Sequence, residues 1–171
     1  MTKEIEYTIN EWEGGHLYTD DPDDPGGETK YGIAKRYHPD VDIKNLTMEG
    51  AVAIYKEKYW NVLSLDQIDS MRVRWKVFDI GVNLGPKKAA KFLQTAVGAT
   101  VDGTVGIVTR SLTNAQTADN VGEIVVVEYL VELQMKYYIS KVKESPVKIK
   151  YLSGWANRAF DWGESFPLMQ V

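Results

Sequence analysis

The chain has 171 residues, of which 44% are hydrophobic and 26% are charged, so it can bury a sizeable core and is not of the disordered class. Its formal net charge of −4 excludes a strong overall attraction to nucleic acid. The absence of cysteine excludes disulfides, a thiol nucleophile and thiolate metal ligands.

The N-terminal segment Met1–Glu6 is polar and lacks an apolar core of the length that a signal peptide needs. The sequence contains no run of about 18 apolar residues, which predicts no membrane insertion. We therefore expect a protein that is made in the cytoplasm. A substrate outside the cell would require a separate release route.

The first predicted element is a short helix in which Ile5, Ile9 and Trp12 recur at spacings of four and three residues. Gly14-Gly15 supplies the C-terminal stop of this helix. Glu13 is thereby placed in the last turn of the helix, beside the apolar stripe.

The stretch from Asp20 to Gly27 contains two prolines and a glycine pair, which excludes a helix and predicts turns. The next segment, Glu28–Ile33, has the alternation of a short strand or a tight ribbon. Together the two segments predict a small β-containing lobe beside the first helix.

The rest of the chain is predicted to be helical, with Thr47 as the N-cap of the next helix. Val101–Gly106 is the exception and is predicted as a turn or short ribbon. Apolar spacing indicates helices from Thr47 to Val62, from Val73 to Asn83, from Pro86 to Val97, around Val108 and Leu112, from Val121 to Val142, and from Trp155 to Trp162. In the first of these helices Val52, Tyr55, Tyr59 and Val62 share one face, and in the second Trp75, Phe78 and Val82 point inward. In the helix from Val121 to Val142 a stripe is formed by Ile124, Val127, Leu130, Leu133 and Tyr137. The expected fold class is mainly α (α+β), a helical bundle with a small irregular β-containing lobe.

A glycosidase needs a proton donor and a second group that activates water or supports positive charge at the anomeric carbon. Glu13 suits the donor, because Trp12 and the apolar stripe would desolvate its carboxylate. Gly14 and Gly15 have no side chains, so a bulky sugar chain could approach the backbone there. The same pattern also fits an ordinary solvated glutamate at a helix end, and both interpretations stay open at this point.

The acidic turn offers several partners for Glu13, namely Asp20, Asp21, Asp23 and Asp24. A calcium loop competes for the same acids. An EF-hand counted from Asp21 has Gly26 at position six, but Gly32 stands at position twelve, where a bidentate glutamate is required. The EF-hand match therefore fails, while another cation site or a plain turn remains an alternative.

Other chemistries find little support in the sequence. The two histidines, His16 and His38, have no zinc-binding spacing, so a metal-dependent amidase or peptidase is only a minor alternative. Serine-nucleophile and phosphate-loop patterns are absent, and no cofactor is expected. Trp12, Tyr18 and Tyr31 flank the glycine-rich turn and are the best candidates for stacking against a sugar, whereas most other aromatic residues lie on helical stripes and are interpreted as core.

These motifs, taken together and in order, cover nearly the whole chain. They are Glu13-Gly14-Gly15, Asp21-Pro22-Asp23-Asp24-Pro25-Gly26-Gly27, Thr29-Lys30-Tyr31-Gly32-Ile33, Lys44-Asn45-Leu46-Thr47, Tyr59-Trp60, Phe78-Asp79-Ile80-Gly81-Val82-Asn83-Leu84-Gly85-Pro86, Val101-Asp102-Gly103-Thr104-Val105-Gly106 and Trp155-Ala156-Asn157-Arg158. The set resembles glycoside hydrolase family 108, whose members are N-acetylmuramidases of phage lysis cassettes and of bacterial export of large proteins through the cell wall.

The resemblance implies a lysozyme-like fold and cleavage of the glycan between N-acetylmuramic acid and N-acetylglucosamine, with Glu13 as the essential acid. Asp24 matches the aspartate before Pro-Gly-Gly. Asp21 is the alternative second carboxylate, because the segment after Gly15 is slightly longer than the family pattern. Thr29 has the spacing of the threonine that helps to hold the attacking water in phage lysozymes.

The resemblance also implies a single unit over residues 1–171, with a catalytic region at 1–85 and a helical region at 86–165 similar to the peptidoglycan-binding part of the family. The expected substrate-binding residues are Asp21, Tyr31, Asn83 and Trp12. The expected partner is bacterial peptidoglycan, with no nucleic acid and no membrane insertion, and the expected state is a monomer.

Two alternatives to a hydrolase remain. Glu13 alone could serve as acid and base in a lytic transglycosylase, which releases an anhydro-sugar. The chain could also be a non-catalytic wall-binding phage protein that has kept the fold. The preferred setting is a phage endolysin released through a holin pore, and a muramidase that assists secretion is the alternative.

Overall fold

A computed structural model of the chain describes residues 2–21 and 26–161. The chain divides into two compact units, Met1–Lys58 and Tyr59–Val171. Helices dominate the described residues, whose one sheet has two short antiparallel strands. The predicted class, mainly helical with a small β element, is therefore confirmed.

The first unit contains a small hairpin and two α-helices, and the two helices pack against each other. Its elements are α1 (Thr2–Trp12), β1 (Thr29–Lys30), β2 (Ile33–Ala34), a 3-10 turn (Lys35–Tyr37) and α2 (Met48–Tyr55). Ile5 and Ile9 on α1 are completely buried, which confirms the predicted apolar stripe.

The second unit is built from five helices within the described residues. They are α3 (Met71–Leu84), α4 (Pro86–Ala96), α5 (Ile107–Gln116), α6 (Asn120–Glu144) and α7 (Leu152–Phe160), with 3-10 turns at Leu65–Gln67 and Pro146–Tyr151. Helix α3 packs against α4 and α6, and α6 packs against α7. Trp75, Phe78, Val127 and Leu130 are completely buried, as their spacing predicted. The predicted helix end at Trp162 lies outside the described residues.

Three helices begin with the same side-chain cap. The side chains of Thr47, Ser70 and Asp119 each accept a hydrogen bond from the backbone N–H three residues later, at 3.2, 3.1 and 2.7 Å. Such a cap satisfies a backbone donor that has no partner inside the helix and contributes about 1 kcal/mol. The predicted N-cap at Thr47 is confirmed, and so is the predicted helix start at Pro86, which follows Gly85 at φ +90°.

The prediction that Val62 lies on the buried face of the helix after Thr47 is wrong. Val52 and Tyr55 are buried, but Val62 is 59% exposed. After α2 the backbone forms a π-helical turn over Lys56–Trp60, which places an extra residue in the turn and rotates the following side chains. Trp60, 1% exposed, is buried instead of Val62. On α3, Val82 is only half-buried, although it was predicted to face inward.

A cluster of buried charges joins α3 and α7 in the second unit. Arg158 Nε donates to Asp79 Oδ1 at 2.9 Å, and both side chains are almost completely buried. Lys76 is completely buried, and its Nζ donates to the carbonyl oxygen of Ala159 at 2.6 Å. Burial lowers the pKa of Lys76 to about 8, although the charges of Asp79 and Asp161 oppose that shift.

The predicted turn at Val101–Gly106 is confirmed, and the buried side chain of Gln94 holds it in place. The amide nitrogen of Gln94 donates to Asp102 Oδ1 at 2.7 Å and to the carbonyl oxygen of Thr104 at 2.9 Å. Its amide oxygen accepts from the N–H of Gly103 at 2.8 Å. The hydrogen bond from Gln94 and a second one from the backbone N–H of Thr104, at 2.8 Å, hold the pKa of Asp102 below its usual range.

Candidate active site

Glu13 lies directly after the last residue of α1, not within the helix as predicted, and its side chain is half-buried. Its backbone N–H still donates to the carbonyl oxygen of Ile9 at 3.2 Å, as a residue of the last turn would. The next two residues, Gly14 and Gly15, have φ of +79° and +54°. Glycine adopts this left-handed region without a steric penalty, so the predicted glycine stop is confirmed.

The hairpin turns through Tyr31 and Gly32, because Lys30 pairs with Ile33. Both turn residues have positive φ, +54° and +71°, as a tight two-residue hairpin turn requires. A tyrosine in this region is strained, at a cost of about 1–3 kcal/mol, and the surrounding contacts must hold it there. The backbone N–H of Tyr31 donates to the carbonyl oxygen of Gly15 at 3.1 Å. The carbonyl oxygen of Tyr31 accepts a hydrogen bond from the hydroxyl of Tyr55 at 3.0 Å.

Gly32 lies directly against the side chain of Glu13. A Cβ atom added to Gly32 would lie 2.6 Å from Tyr55 Oη, 2.8 Å from Glu13 Cβ and 2.9 Å from Glu13 Oε2. Real Cβ atoms essentially never come so close to other heavy atoms, so a side chain at this position would force Glu13 or Tyr55 to shift. The hairpin turn, the end of α1 and the end of α2 therefore meet at the Glu13 carboxyl group.

Thr29 lies on β1, and its backbone pairs with Thr19 on the other side of the acidic loop. The two residues exchange backbone hydrogen bonds of 2.9 and 2.8 Å. The hydroxyl of Thr29 donates to the carbonyl oxygen of Gly27 at 3.1 Å, which leaves its oxygen lone pairs as acceptors. The role predicted for Thr29 in holding water stays a prediction.

A second contact closes the base of the acidic loop. The hydroxyl of Tyr18 donates to Glu28 Oε1 at 2.7 Å. This hydrogen bond, together with the negative charges of Glu28 and Asp20, raises the pKa of Tyr18 to about 12. Glu28 was not singled out from the sequence. The sequence signal for Glu28 would have been its position opposite Tyr18, since the two residues stand at the two ends of the acidic loop.

The candidates for the second carboxylate lie on this loop. Asp21 is exposed, and Asp24 lies outside the described residues together with Pro22, Asp23 and Pro25. The preference for Asp24 over Asp21 therefore stays a prediction.

The residues predicted to bind substrate lie in different surroundings. Trp12 is half-buried at the end of α1, while Tyr31 is only 8% exposed, so little of its ring is available for stacking against a sugar. Asn83, in the second unit, accepts a hydrogen bond from the hydroxyl of Tyr138 at 2.7 Å through its Oδ1. Their roles in binding stay predictions.

Among residues 2–21 and 26–161, no group of three or more histidine, aspartate or glutamate side chains is arranged to hold a metal ion. His38 instead lies 3.1 Å from Lys58 Nζ, and burial, followed by the charge of Lys58, lowers its pKa. In the same described part of the chain, no helix is long and apolar enough to cross a membrane.

Residues 7–85 match the family model of glycosyl hydrolase 108, and every predicted site residue lies within this range. The protein is thus a glycoside hydrolase. The chain therefore contains a glycosyl hydrolase 108 domain, which confirms the family resemblance found in the sequence.

The structure of Brucella abortus SagA is similar to this chain, with a TM-score of 0.64 and 26% sequence identity. The alignment covers 94% of this chain and 93% of that chain, so the likeness extends well beyond the glycosyl hydrolase 108 domain. No curated protein matches the sequence.

Proposed function

We propose that this glycoside hydrolase is an N-acetylmuramidase that cleaves peptidoglycan between N-acetylmuramic acid and N-acetylglucosamine, with Glu13 as the proton donor. The observation that carries the proposal is the placement of Glu13, half-buried at the end of α1 and in contact with Gly32. A general acid must keep its proton until the glycosidic oxygen takes it, and partial burial of a carboxyl group favours that form. Gly14, which is exposed and has open space where a side chain would lie, leaves room for a glycan beside it.

In the proposed reaction Glu13 protonates the glycosidic oxygen, and Asp24 stabilises positive charge at the anomeric carbon or orients water. Thr29 assists by holding that water. The hairpin supports this arrangement, since β1 carries Thr29, pairs with the loop base at Thr19 and continues into the turn that contacts Glu13. Asp21 is the alternative to Asp24.

The central test compares Glu13→Gln with the wild type by measuring the reducing ends released from purified peptidoglycan. Glu11→Gln is a matched control, because Glu11 is an exposed glutamate on the same helix. We expect Glu13→Gln to release almost no reducing ends and Glu11→Gln to match the wild type. Wild-type rates from Glu13→Gln would contradict the proposal.

Mass spectrometry of the released muropeptides tests the type of reaction. Hydrolysis adds one water per bond cleaved, so we expect reducing N-acetylmuramic acid ends. Anhydro-sugar ends would instead identify a lytic transglycosylase that acts on the same bond. Asp24→Asn and Asp21→Asn in the same assay test the second carboxylate, and we expect the larger loss for Asp24→Asn.

We further propose host-cell lysis by a phage as the setting, with release through a holin pore, in line with the lysis cassettes of the resembling family. Expression in bacteria with and without a holin tests this setting. Lysis only in the presence of the holin is the expected result, and lysis without it would contradict the proposal.

A further inference from the structure

Tyr55 connects α2 to the hairpin turn of the first unit. It is the last residue of α2, and its side chain is 3% exposed. Its hydroxyl donates a hydrogen bond to the carbonyl oxygen of Tyr31 at 3.0 Å. Because Tyr31 directly precedes Gly32, this bond holds the backbone of the turn at the place where it meets Glu13.

Gly32 also shows how near Tyr55 is to Glu13. The point where a Cβ atom of residue 32 would lie is 2.6 Å from Tyr55 Oη and 2.9 Å from Glu13 Oε2. Since both oxygens lie so close to one point, the tyrosine hydroxyl and the glutamate carboxyl group face the same side of the glycine.

We infer that Tyr55 is a positioning residue for Glu13, an inference that rests on the proposed function of Glu13 as the acid. Its hydroxyl fixes the Tyr31 carbonyl, so that the strained turn keeps Gly32 against the carboxyl group. A catalytic group must be held within about 0.5 Å of its working position. A buried ring whose hydroxyl donates a hydrogen bond to the neighbouring backbone provides such support. Tyr55 acts through Glu13 and the turn, not on the glycan.

The test is Tyr55→Phe, which keeps the ring and removes only the hydroxyl. With soluble glycan strands as substrate, we expect kcat to fall about tenfold or more while KM stays within about twofold, because the lost contact orients the acid and does not bind the substrate. A role confined to core packing would leave kcat of the folded protein unchanged.

Thr113→Val is the matched control. Thr113 is completely buried on α5 in the second unit, and its hydroxyl also donates to a backbone carbonyl, that of Thr109, at 2.8 Å. Both variants lose one buried hydroxyl, so similar losses of thermal stability are expected, but only Tyr55→Phe should lower kcat. Wild-type kcat for Tyr55→Phe, or equal losses of kcat in both variants, would overturn the inference.

A double-mutant cycle with Gly32→Ala adds a second, independent readout. The new methyl group would collide with Tyr55 Oη and with Glu13, so kcat should fall. In the Tyr55→Phe background the collision with Oη is absent, and the double variant should therefore lose less than the product of the two single losses. Strictly multiplicative losses would contradict the inference.

The same experiments separate this inference from the proposed function. If Glu13→Gln is inactive while Tyr55→Phe behaves as the wild type, only the positioning role of Tyr55 fails. If Glu13→Gln keeps full activity, the proposed function itself fails, whatever the result for Tyr55→Phe.

Discussion

The two units place carboxyl groups in contrasting surroundings. Asp79, in the second unit, is 1% exposed and paired with Arg158. Glu13, in the first unit, is half-buried, follows the end of a helix and is surrounded by glycines. A buried ion pair holds helices in place but leaves no room for a ligand. A partly exposed carboxyl group beside glycines can both hold a proton and meet a substrate.

This difference teaches how to separate structure from chemistry among the acidic residues of one chain. In the buried cluster of α3 and α7, charges balance one another, and removal of one member leaves the others with less compensation. At Glu13 the neighbours fix the position of the side chain. Substitution at the first site should therefore change stability, and substitution at the second should change activity.

The largest expected effect is on the activity of Glu13→Gln. Loss of a general acid lowers kcat by about 10²–10⁴-fold. Because the substitution keeps the shape of the side chain, we expect the melting temperature to stay close to that of the wild type. Steady-state kinetics and calorimetry on the same sample check both parts. A large fall in melting temperature would instead show that Glu13, like Asp79, stabilises the fold.

Asp79→Ala should give the opposite result. It removes the carboxylate that accepts the buried Arg158 hydrogen bond and that faces Lys76, which should lower the free energy of unfolding by about 3–5 kcal/mol, as measured by urea denaturation. The exposed pair of Lys136 and Glu132 offers the control, since Glu132→Ala should cost less than about 1 kcal/mol. If Asp79→Ala and Glu132→Ala lowered the free energy of unfolding by similar amounts, the special contribution of the buried Asp79 to stability would be contradicted.

Lys76 predicts a dependence of stability on pH. Its pKa is about 8 in the folded chain, against an ordinary value of 10.5. Between these values the unfolded chain holds the extra proton, so the free energy of unfolding rises with pH in this window. Relative to Lys76→Met, the wild type should gain about 3 kcal/mol from pH 8 to pH 10.5, because one pKa unit corresponds to about 1.4 kcal/mol. A constant difference between the two proteins would contradict this expectation.

The smallest effect is expected at the cap of α6. Asp119→Ala removes the acceptor for the N–H of Gly122 and should lower the free energy of unfolding by about 1 kcal/mol, with activity unchanged. Glu128→Ala, at an exposed position of the same helix, is the control for the loss of a carboxylate. Equal changes in the two variants would show that the cap contributes nothing beyond its charge.

Features that depend on neighbours in the sequence were predictable. The Thr47 cap, the start of α4 at Pro86 and the glycine stop after Glu13 each follow from two to four adjacent residues. The family was accessible because its motifs occur in order along the chain, while the role of Glu13 as the acid stays a prediction. Local chemistry alone could not decide whether Glu13 was catalytic.

Features that depend on distant residues were not predictable. The contact of Tyr55 with the turn joins residues 24 positions apart, whereas apolar spacing indicates only a core residue at Tyr55. Val62 was misplaced because a π-helical turn leaves no clear signal in apolar spacing. Partial burial separates Glu13 from the buried Asp79, and it arises only from tertiary packing.

The closed base of the acidic loop has a consequence for protein engineering. The Thr19–Thr29 pairing and the Tyr18–Glu28 hydrogen bond tie both ends of the segment from Asp20 to Gly27. Doubling the length of a loop with anchored ends costs only about 0.6 kcal/mol, less than the loss of one helix cap. Changes in the length of this segment that keep Asp21 and Asp24 should therefore cost little stability and leave the scaffold around Glu13 intact.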